Sequence, residues 1–356
     1  MNERAELRVA LIGYGVAGAF FHAPTINCTE GLKLAAVVTG NSDRQQQVKN
    51  DYPQALMLSD PAEVFTATDS YDLVVVAAPN KFHHPLTKQA LESGLAVVVD
   101  KPAAPTSEQL LDLIATSKRC NKLFTVYQNR RLDGDFLTVR KIIENDLLGQ
   151  ITYFSSRFDR YRPATRAGAW RETASLSEGG GVLFDLGSHL IDQACALFGQ
   201  PESVYAEVRK LREGVQVDDD FFLSLKFSGV TAHLGASVIA RIAGARFKIN
   251  GFRGSFEKFG LDPQEDALRR GLRPGIAGWG QESKSDWGRL VTAASGVAVD
   301  ALVETEAGRY QVFYENVRDA LRGTAPLLVK PEEALLTTKI IEKAFLSSKE
   351  NRTVAL

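Results

Sequence analysis

The stretch Leu7–Ile12, apolar except for Arg8, runs directly into Gly13-Tyr14-Gly15-Val16-Ala17-Gly18, a GxGxxG pattern. This pattern constrains the fold most when a strand precedes it and a helix follows. The first glycine then makes the tight turn, the second lets backbone approach a pyrophosphate, and the third seats the helix close to the sheet. Val16–Asn27 carries the helical pattern that this context requires. The start of such a helix offers unpaired N–H groups and partial positive charge to an anion.

The first half repeats the alternation. Strand-like runs at Leu34–Val38, Leu73–Ala77, Ala96–Val99 and Leu123–Val126 are separated by helical patterns at Asp43–Asp51, Pro85–Ser93 and Ser107–Cys120. Apolar strands divided by helices predict a parallel sheet covered on both faces, the doubly wound Rossmann-type α/β architecture. After about Gly149 the rhythm changes. Ile151–Phe158, Ser203–Leu211, Asp220–Phe227, Thr231–Ile239, Phe247–Asn250 and Ser255–Phe259 read as strands, mostly linked by short turns such as Ser228-Gly229. Strands without intervening helices predict an open, mainly antiparallel sheet in an α+β domain, interrupted by one helix around Phe184–Phe198. Arg270–Gly296, rich in glycine and polar residues, predicts a long loop. A last helix opens at Pro331, with Glu332 and Glu333 complementing its dipole. A chain of 356 residues exceeds one ordinary core. The expected division is a dinucleotide-binding domain over 1–127 and a substrate-binding and dimerisation domain over 128–356, the C-terminal helix being able to pack back on the first.

Composition narrows the partners. A net charge of −1 gives no drive toward nucleic acid or an anionic membrane. No apolar run approaches the roughly 20 residues that span a bilayer. Met1–Leu7 carries Glu3, Arg4 and Glu6 where a signal peptide needs an apolar core. Cys28, Cys120 and Cys195 lie far apart, which argues against a disulfide framework and a zinc site. A cytoplasmic protein without a metal is expected.

The end of the second strand bears on which dinucleotide is bound. It reads Val37-Val38-Thr39-Gly40-Asn41-Ser42-Asp43-Arg44, without the acid that usually meets a ribose 2′-hydroxyl. Thr39, Asn41, Ser42 and Arg44 suit a 2′-phosphate instead, which favours NADP over NAD; the bland alternative makes Arg44 a solvated helix residue. Two later strands end in Pro79-Asn80-Lys81-Phe82-His83 and in Asp100-Lys101-Pro102. Ligands bind outside the carboxyl ends of strands in open α/β sheets, so Pro79, Asn80, His83, Asp100 and Lys101 are expected near the cofactor. Farther on, Gly179-Gly180-Gly181 precedes Asp185 and His189, which lie four apart and share a face on a helix. A carboxylate beside an imidazole orients it and raises its basicity, which suits general acid–base work.

Taken in order along nearly the whole chain, these motifs resemble the Gfo/Idh/MocA oxidoreductase family. Asp100 departs from the glutamate more often found before the Lys-Pro pair. Phe21-His22-Ala23-Pro24, Asn129-Arg130-Arg131 with Asp133, and Phe158-Asp159-Arg160 look like the subgroup of NADP-dependent scyllo-inositol dehydrogenases. The resemblance implies reversible oxidation of a secondary alcohol of a cyclic polyol or sugar to its ketone by hydride transfer to the nicotinamide. It makes His189 the general base, Asp185 its orienting partner, and Lys101 a hydrogen-bond donor to the reacting oxygen. Asn129, Arg131, Asp159, Arg160, Tyr161, Trp170 and Arg171 are the remaining candidates for substrate contact, a mixture suited to hydroxyl groups that both donate and accept. Two competing expectations are an NADPH-dependent reductase of keto- or anhydro-sugars and a non-catalytic sensor of nicotinamide nucleotides. The presence of Lys101, Asp185 and His189 argues against the sensor. A homodimer or homotetramer formed through the C-terminal sheet is expected, because an open sheet with one solvated face usually finds a partner surface.

Overall fold

The computed structural model describes residues 6–165, 175, 178–294 and 296–356. The chain divides into two compact units, neither of them continuous in sequence. The first comprises Met1–Leu132, Gln264–Trp279 and Arg309–Ala334; the second comprises Asp133–Pro263, Gly280–Gly308 and Leu335–Leu356.

The first unit is built on six parallel strands: β1 (Leu7–Ile12), β2 (Leu32–Val38), β3 (Leu56–Leu58), β4 (Leu73–Val76), β5 (Ala96–Asp100) and β6 (Phe124–Tyr127). Their order is β3-β2-β1-β4-β5-β6, and every neighbouring pair is parallel. The direction of winding reverses between β1 and β4, which opens a crevice at the carboxyl ends of those two strands. The predicted doubly wound sheet is therefore present. Strand β3, three residues long, is too short to leave a sequence pattern.

Buried residues of the sheet, among them Val9, Leu11, Leu34, Val37, Val75 and Val98, form one core with Leu268, Trp279, Tyr310, Phe313, Tyr314 and Val329. The later segments are also tied in by hydrogen bonds. The Thr125 hydroxyl donates to the Val329 carbonyl at 2.7 Å, and the Tyr310 N–H donates to Gln264 Oε1 at 2.8 Å. By contacts, the first unit thus includes segments that return from beyond residue 127. The helices Gln264–Arg269 and Gln311–Leu321 both come back to the first unit, the latter through its buried face of Phe313, Tyr314 and Val317. The last helix, Pro331–Glu350, runs within the second unit from Leu335 onward.

Among the described residues the second unit holds nine strands: β7 (Ile151–Asp159), β8 (Ser203–Arg209), β9 (Asp220–Phe227), β10 (Val230–Ser237), β11 (Phe247–Gly251), β12 (Gly254–Lys258), β13 (Gly288–Ala294), β14 (Val297–Val303) and β15 (Val354–Ala355). Their order is β14-β13-β12-β11-β7-β10-β9-β8-β15, with β7 and β10 parallel and the other pairs antiparallel. The predicted mainly antiparallel sheet is present. The long loop expected over Arg270–Gly296 is corrected at its end, where Gly288–Ala294 pairs with both β12 and β14. The glycines that suggested a loop are concentrated before residue 282, while Leu290, Val291 and Thr292 have ordinary strand chemistry.

One face of this sheet is the core. Phe221, Leu223, Leu225 and Phe227 alternate along β9 and pack with Leu183, Leu190, Ile191 and Ala194 of the Asp185–His189 segment. At its centre Arg246 is 1% exposed, with its guanidinium carbon 4.1 Å from the ring centroids of both Phe158 and Phe247. Its Nε lies 3.1 Å from Asp135 Oδ2, its Nη2 donates to Gln193 Oε1 at 2.9 Å, and its Nη1 donates to the Ser156 hydroxyl. A buried cation is tolerable only with such pairing.

Candidate functional site

Within the first unit, five of the predicted segments follow the carboxyl end of a parallel strand. Gly13 follows β1, Thr39 follows β2, Asn80 follows β4 within four residues, Lys101 follows β5 and Asn129 follows β6. The strand ends therefore bring these residues to one edge of the sheet.

The glycine turn meets the requirements of a dinucleotide. Gly13 has φ +102°, and its N–H donates to the Val38 carbonyl at 3.0 Å. A Cβ there would fall 2.5 Å from the Ala77 carbonyl oxygen, and one on Gly18 would fall 2.1 Å from that of Gly13. Above Gly15 the space is open: the nearest atom to an added Cβ is Arg44 Nη1, at 3.9 Å. A pyrophosphate needs that uncovered backbone, so these residues fit the group. The Tyr14 side chain is buried and its hydroxyl donates to Asp51 at 3.2 Å, which leaves its backbone as the part able to meet a cofactor. Val16 is exposed, and Ala17 opens a π-helical turn, Ala17–His22, that continues as the α-helix Ala23–Cys28.

Beside this turn, Asn41 caps the helix Ser42–Asp51 by accepting the Arg44 N–H at 3.0 Å. Thr39 is buried, whereas Asn41, Ser42 and Arg44 are exposed. No acid lies at the end of β2 itself, and the exposed first turn of the helix carries the Arg44 guanidinium beside the Asp43 carboxylate.

Asn80 is buried, while Pro79 beside it is exposed. His83 is 1% exposed, with Nδ1 2.7 Å from the Pro102 carbonyl oxygen and Nε2 2.7 Å from that of Ala78. Both ring nitrogens face protein carbonyls, so His83 lies between the turn after β4 and the turn after β5. The Lys101–Pro102 peptide is cis, and Asp100 Oδ1 accepts the Lys101 N–H at 2.9 Å. Burial opposes ionisation of Asp100, yet His22, His83 and Lys101 outweigh it and hold the carboxyl below its ordinary range. In the sequence His22 stands out only within a subgroup motif; no spacing signals its approach to Asp100.

In the second unit, Asp185 lies in a π-helical turn, Leu183–Gly187, and His189 in the α-helix Ser188–Phe198 that continues it. The pair therefore straddles a turn closed from i to i+5 rather than a plain α-helical face. Gly187 makes room for this winding, since a Cβ there would fall 2.6 Å from Leu183 Cδ1. Asp185 is half-buried and His189 is 4% exposed. The entry to the segment is held by Asp218, whose Oδ2 accepts the Leu183 N–H at 2.7 Å and whose carbonyl accepts that of Val182 at 3.0 Å. Burial pushes the Asp218 carboxyl up to about 6.

The substrate candidates are scattered in environment. Asn129 and Arg131 are buried in the turn Asn129–Leu132, where Arg131 Nη1 meets Glu333 Oε2 at 3.1 Å and the Leu328 carbonyl at 3.3 Å. The Asp159 side chain is 4% exposed, takes two hydrogen bonds of 2.9 Å from Arg157, and accepts the Gly244 N–H at 3.0 Å. Both carboxylate oxygens thus accept protein donors. Arg160 is half-buried. Tyr161 is exposed and accepts a 2.6 Å hydrogen bond from Arg241, whose guanidinium stacks on its ring. Trp170 and Arg171 lie outside the described residues. Among the described residues no cluster of three or more His, Cys, Asp or Glu side chains is gathered to hold a metal ion, and no helix is long and apolar enough to cross a membrane.

A sheet in this order with a glycine turn at its switch point, joined in one chain to a large mixed sheet, defines a dinucleotide-binding oxidoreductase class. The model of the family's NAD-binding Rossmann fold matches residues 7–128, and that of its C-terminal alpha/beta domain matches residues 140–356. The chain belongs to the Gfo/Idh/MocA oxidoreductase family. It is 38% identical over 351 residues to the Escherichia coli oxidoreductase YdgJ, covering 99% of each chain. It is 35% identical over 350 residues to the Bacillus subtilis scyllo-inositol 2-dehydrogenase (NADP(+)) IolW, covering 98% of this chain and 96% of that one. A solved structure of the Bacillus subtilis oxidoreductase yvaA superposes with a TM-score of 0.92 at 34% identity, covering 99% of each chain.

Proposed function

We propose that this oxidoreductase interconverts a secondary alcohol of an inositol-like cyclic polyol or sugar and its ketone, with NADP as the preferred cofactor. The observation that carries the reading is the position of Lys101 at the carboxyl end of β5, on the same sheet edge as the glycine turn. The full-length similarity to a scyllo-inositol 2-dehydrogenase supports the substrate class. Arg44 beside Gly15, with no acid at the end of β2, supports a 2′-phosphate.

The bound nicotinamide supplies the hydride chemistry. The chain's own groups handle the hydroxyl oxygen. Lys101 donates a hydrogen bond to it and stabilises the negative charge that develops there. His189 takes the hydroxyl proton, and Asp185 keeps the imidazole oriented and basic. Exposed Arg44 selects the phosphorylated ribose.

A panel of scyllo-inositol, myo-inositol and simple glucosides with NADP⁺ and NAD⁺, run beside ketoses and anhydro-sugars with NADPH, tests the reading. Turnover of an inositol with NADP⁺ above NAD⁺ is the expected result. Activity confined to keto- or anhydro-sugars with NADPH would replace it with the reductase reading.

A further inference from the structure

The motif Phe21-His22-Ala23-Pro24 has no part in the chemistry above, yet its histidine is wholly buried in the first unit. An imidazole taken out of water is costly unless its polar atoms find partners. Nδ1 lies 2.6 Å from the Tyr314 hydroxyl, and Nε2 lies 3.7 Å from Asp100 Oδ1, longer than a direct hydrogen bond but well within electrostatic range. The Tyr127 ring packs on the imidazole at 4.3 Å between centroids, and Tyr127 is the β6 residue paired with Asp100 of β5. His22 is therefore fixed on three sides, with one nitrogen turned toward the carboxylate that accepts the Lys101 N–H.

Hydrogen bonding selects the tautomer. Burial raises the Tyr314 pKa well above its ordinary value, so the phenol keeps its proton. With that O–H donated to Nδ1, the imidazole N–H resides on Nε2 and points its positive end at Asp100. The reverse arrangement would set the Nε2 lone pair against a carboxylate in a dry interior, where such a clash is expensive.

We infer that His22 is a positioning residue for Lys101: it steadies the Asp100 carboxylate from behind, and Asp100 fixes the backbone from which the lysine side chain starts. This rests on the role given to Lys101 under Proposed function. Tyr314 acts one step farther back, by holding the histidine tautomer.

The test measures kcat, KM and thermal midpoint with the best substrate of the panel above, and NADPH affinity by fluorescence, in full-length variants. His22→Met keeps the volume and removes both nitrogens; His22→Gln restores a donor near the Nε2 position. The expected result is a kcat lowered by about tenfold to a hundredfold in His22→Met, the scale of loss from misplacing a reacting group. NADPH affinity should stay within twofold, and His22→Gln should recover kcat to within threefold of wild type. A merely structural role would lower the thermal midpoint and NADPH affinity together with kcat, and that result overturns the proposal. So does near-normal kcat in His22→Met beside an inactive Lys101→Met. Normal turnover in Lys101→Met would overturn the underlying assignment, and the positioning role with it. If His22→Met fails to fold, Tyr314→Phe carries the test: it removes one oxygen and frees the tautomer, with kcat expected to fall at least threefold, and an unchanged kcat contradicts the proposal.

Discussion

Asp218 Oδ2 accepts the backbone N–H of Leu183 at 2.7 Å, so a carboxylate that is 3% exposed holds the first turn of the segment carrying Asp185 and His189. Among the described residues its other oxygen, Oδ1, has no hydrogen-bond partner, which makes it the natural seat for a proton. With the carboxyl pushed up to about 6 by burial, the folded chain keeps this proton over a range where the unfolded chain, near the ordinary value of about 3.9, has lost it. The contribution of Asp218 to stability is thus full below about pH 4 and declines as pH rises through about 6. Asp218→Asn does not titrate. The stability of wild type relative to Asp218→Asn should fall by about 3 kcal/mol between pH 4 and pH 7, the worth of a two-unit shift. Urea unfolding of both proteins at the two pH values measures it. A pH-independent difference would contradict the assignment.

Gly181 sits against the same carboxyl. Its φ is +97°, and a Cβ would fall 2.0 Å from Asp218 Oδ1. Gly181→Ala therefore meets backbone strain of about 1–3 kcal/mol and a steric clash besides. Its urea midpoint should drop, and turnover should fall more than NADPH affinity, because the strain enters at the Asp185–His189 segment and leaves the glycine turn alone. Equal losses in both would count against that reasoning.

The proposed function assigns the cofactor preference to Arg44. Arg44→Ala should weaken NADPH binding by about tenfold to a hundredfold, the loss of hydrogen bonds to a charged group, and leave NADH within twofold. Fluorescence titration with the two reduced dinucleotides reads both. Equal effects on the two would remove the 2′-phosphate role.

The sequence was most informative where local chemistry and geometry coincide. Gly13, Gly15 and Gly18 each have a separate steric reason visible in the order strand, turn, helix, and the ends of β4 and β5 follow from apolar runs that stop at polar residues. What stayed hidden depends on distant partners. His22 meets Tyr314, and Arg130 meets Glu265 at 2.6 Å, across 292 and 135 positions respectively. Burial opposes Glu265 ionisation, but Arg130 and Arg269 prevail and hold it down to about 2. No periodicity encodes such pairings. The same applies to Gln264–Trp279 and Arg309–Ala334, whose membership in the first unit comes from cores assembled after long excursions. The clasp of Asp159 by Arg157, two residues away on the same strand, is likewise absent from the motif as read in the sequence.

The buried Arg246–Asp135 pair makes a prediction about stability alone. Arg246→Met leaves the Asp135 carboxyl, 0% exposed, without its cation and should cost about 3–5 kcal/mol, whereas replacing both by apolar residues should recover much of that loss. Denaturant unfolding of the single and double variants decides it. A single variant as stable as wild type would show that the pair contributes nothing.

The proposed function gives Lys101 and His189 each a role in turnover and none in holding the dinucleotide. Lys101→Met and His189→Asn, assayed beside wild type with the best polyol of the panel, test it most directly. The expected result is a kcat lowered about 10²–10⁴-fold in each, the range for loss of a general base or a charge-stabilising donor, with NADPH affinity within twofold of wild type. Turnover near the wild-type rate in either variant would contradict it.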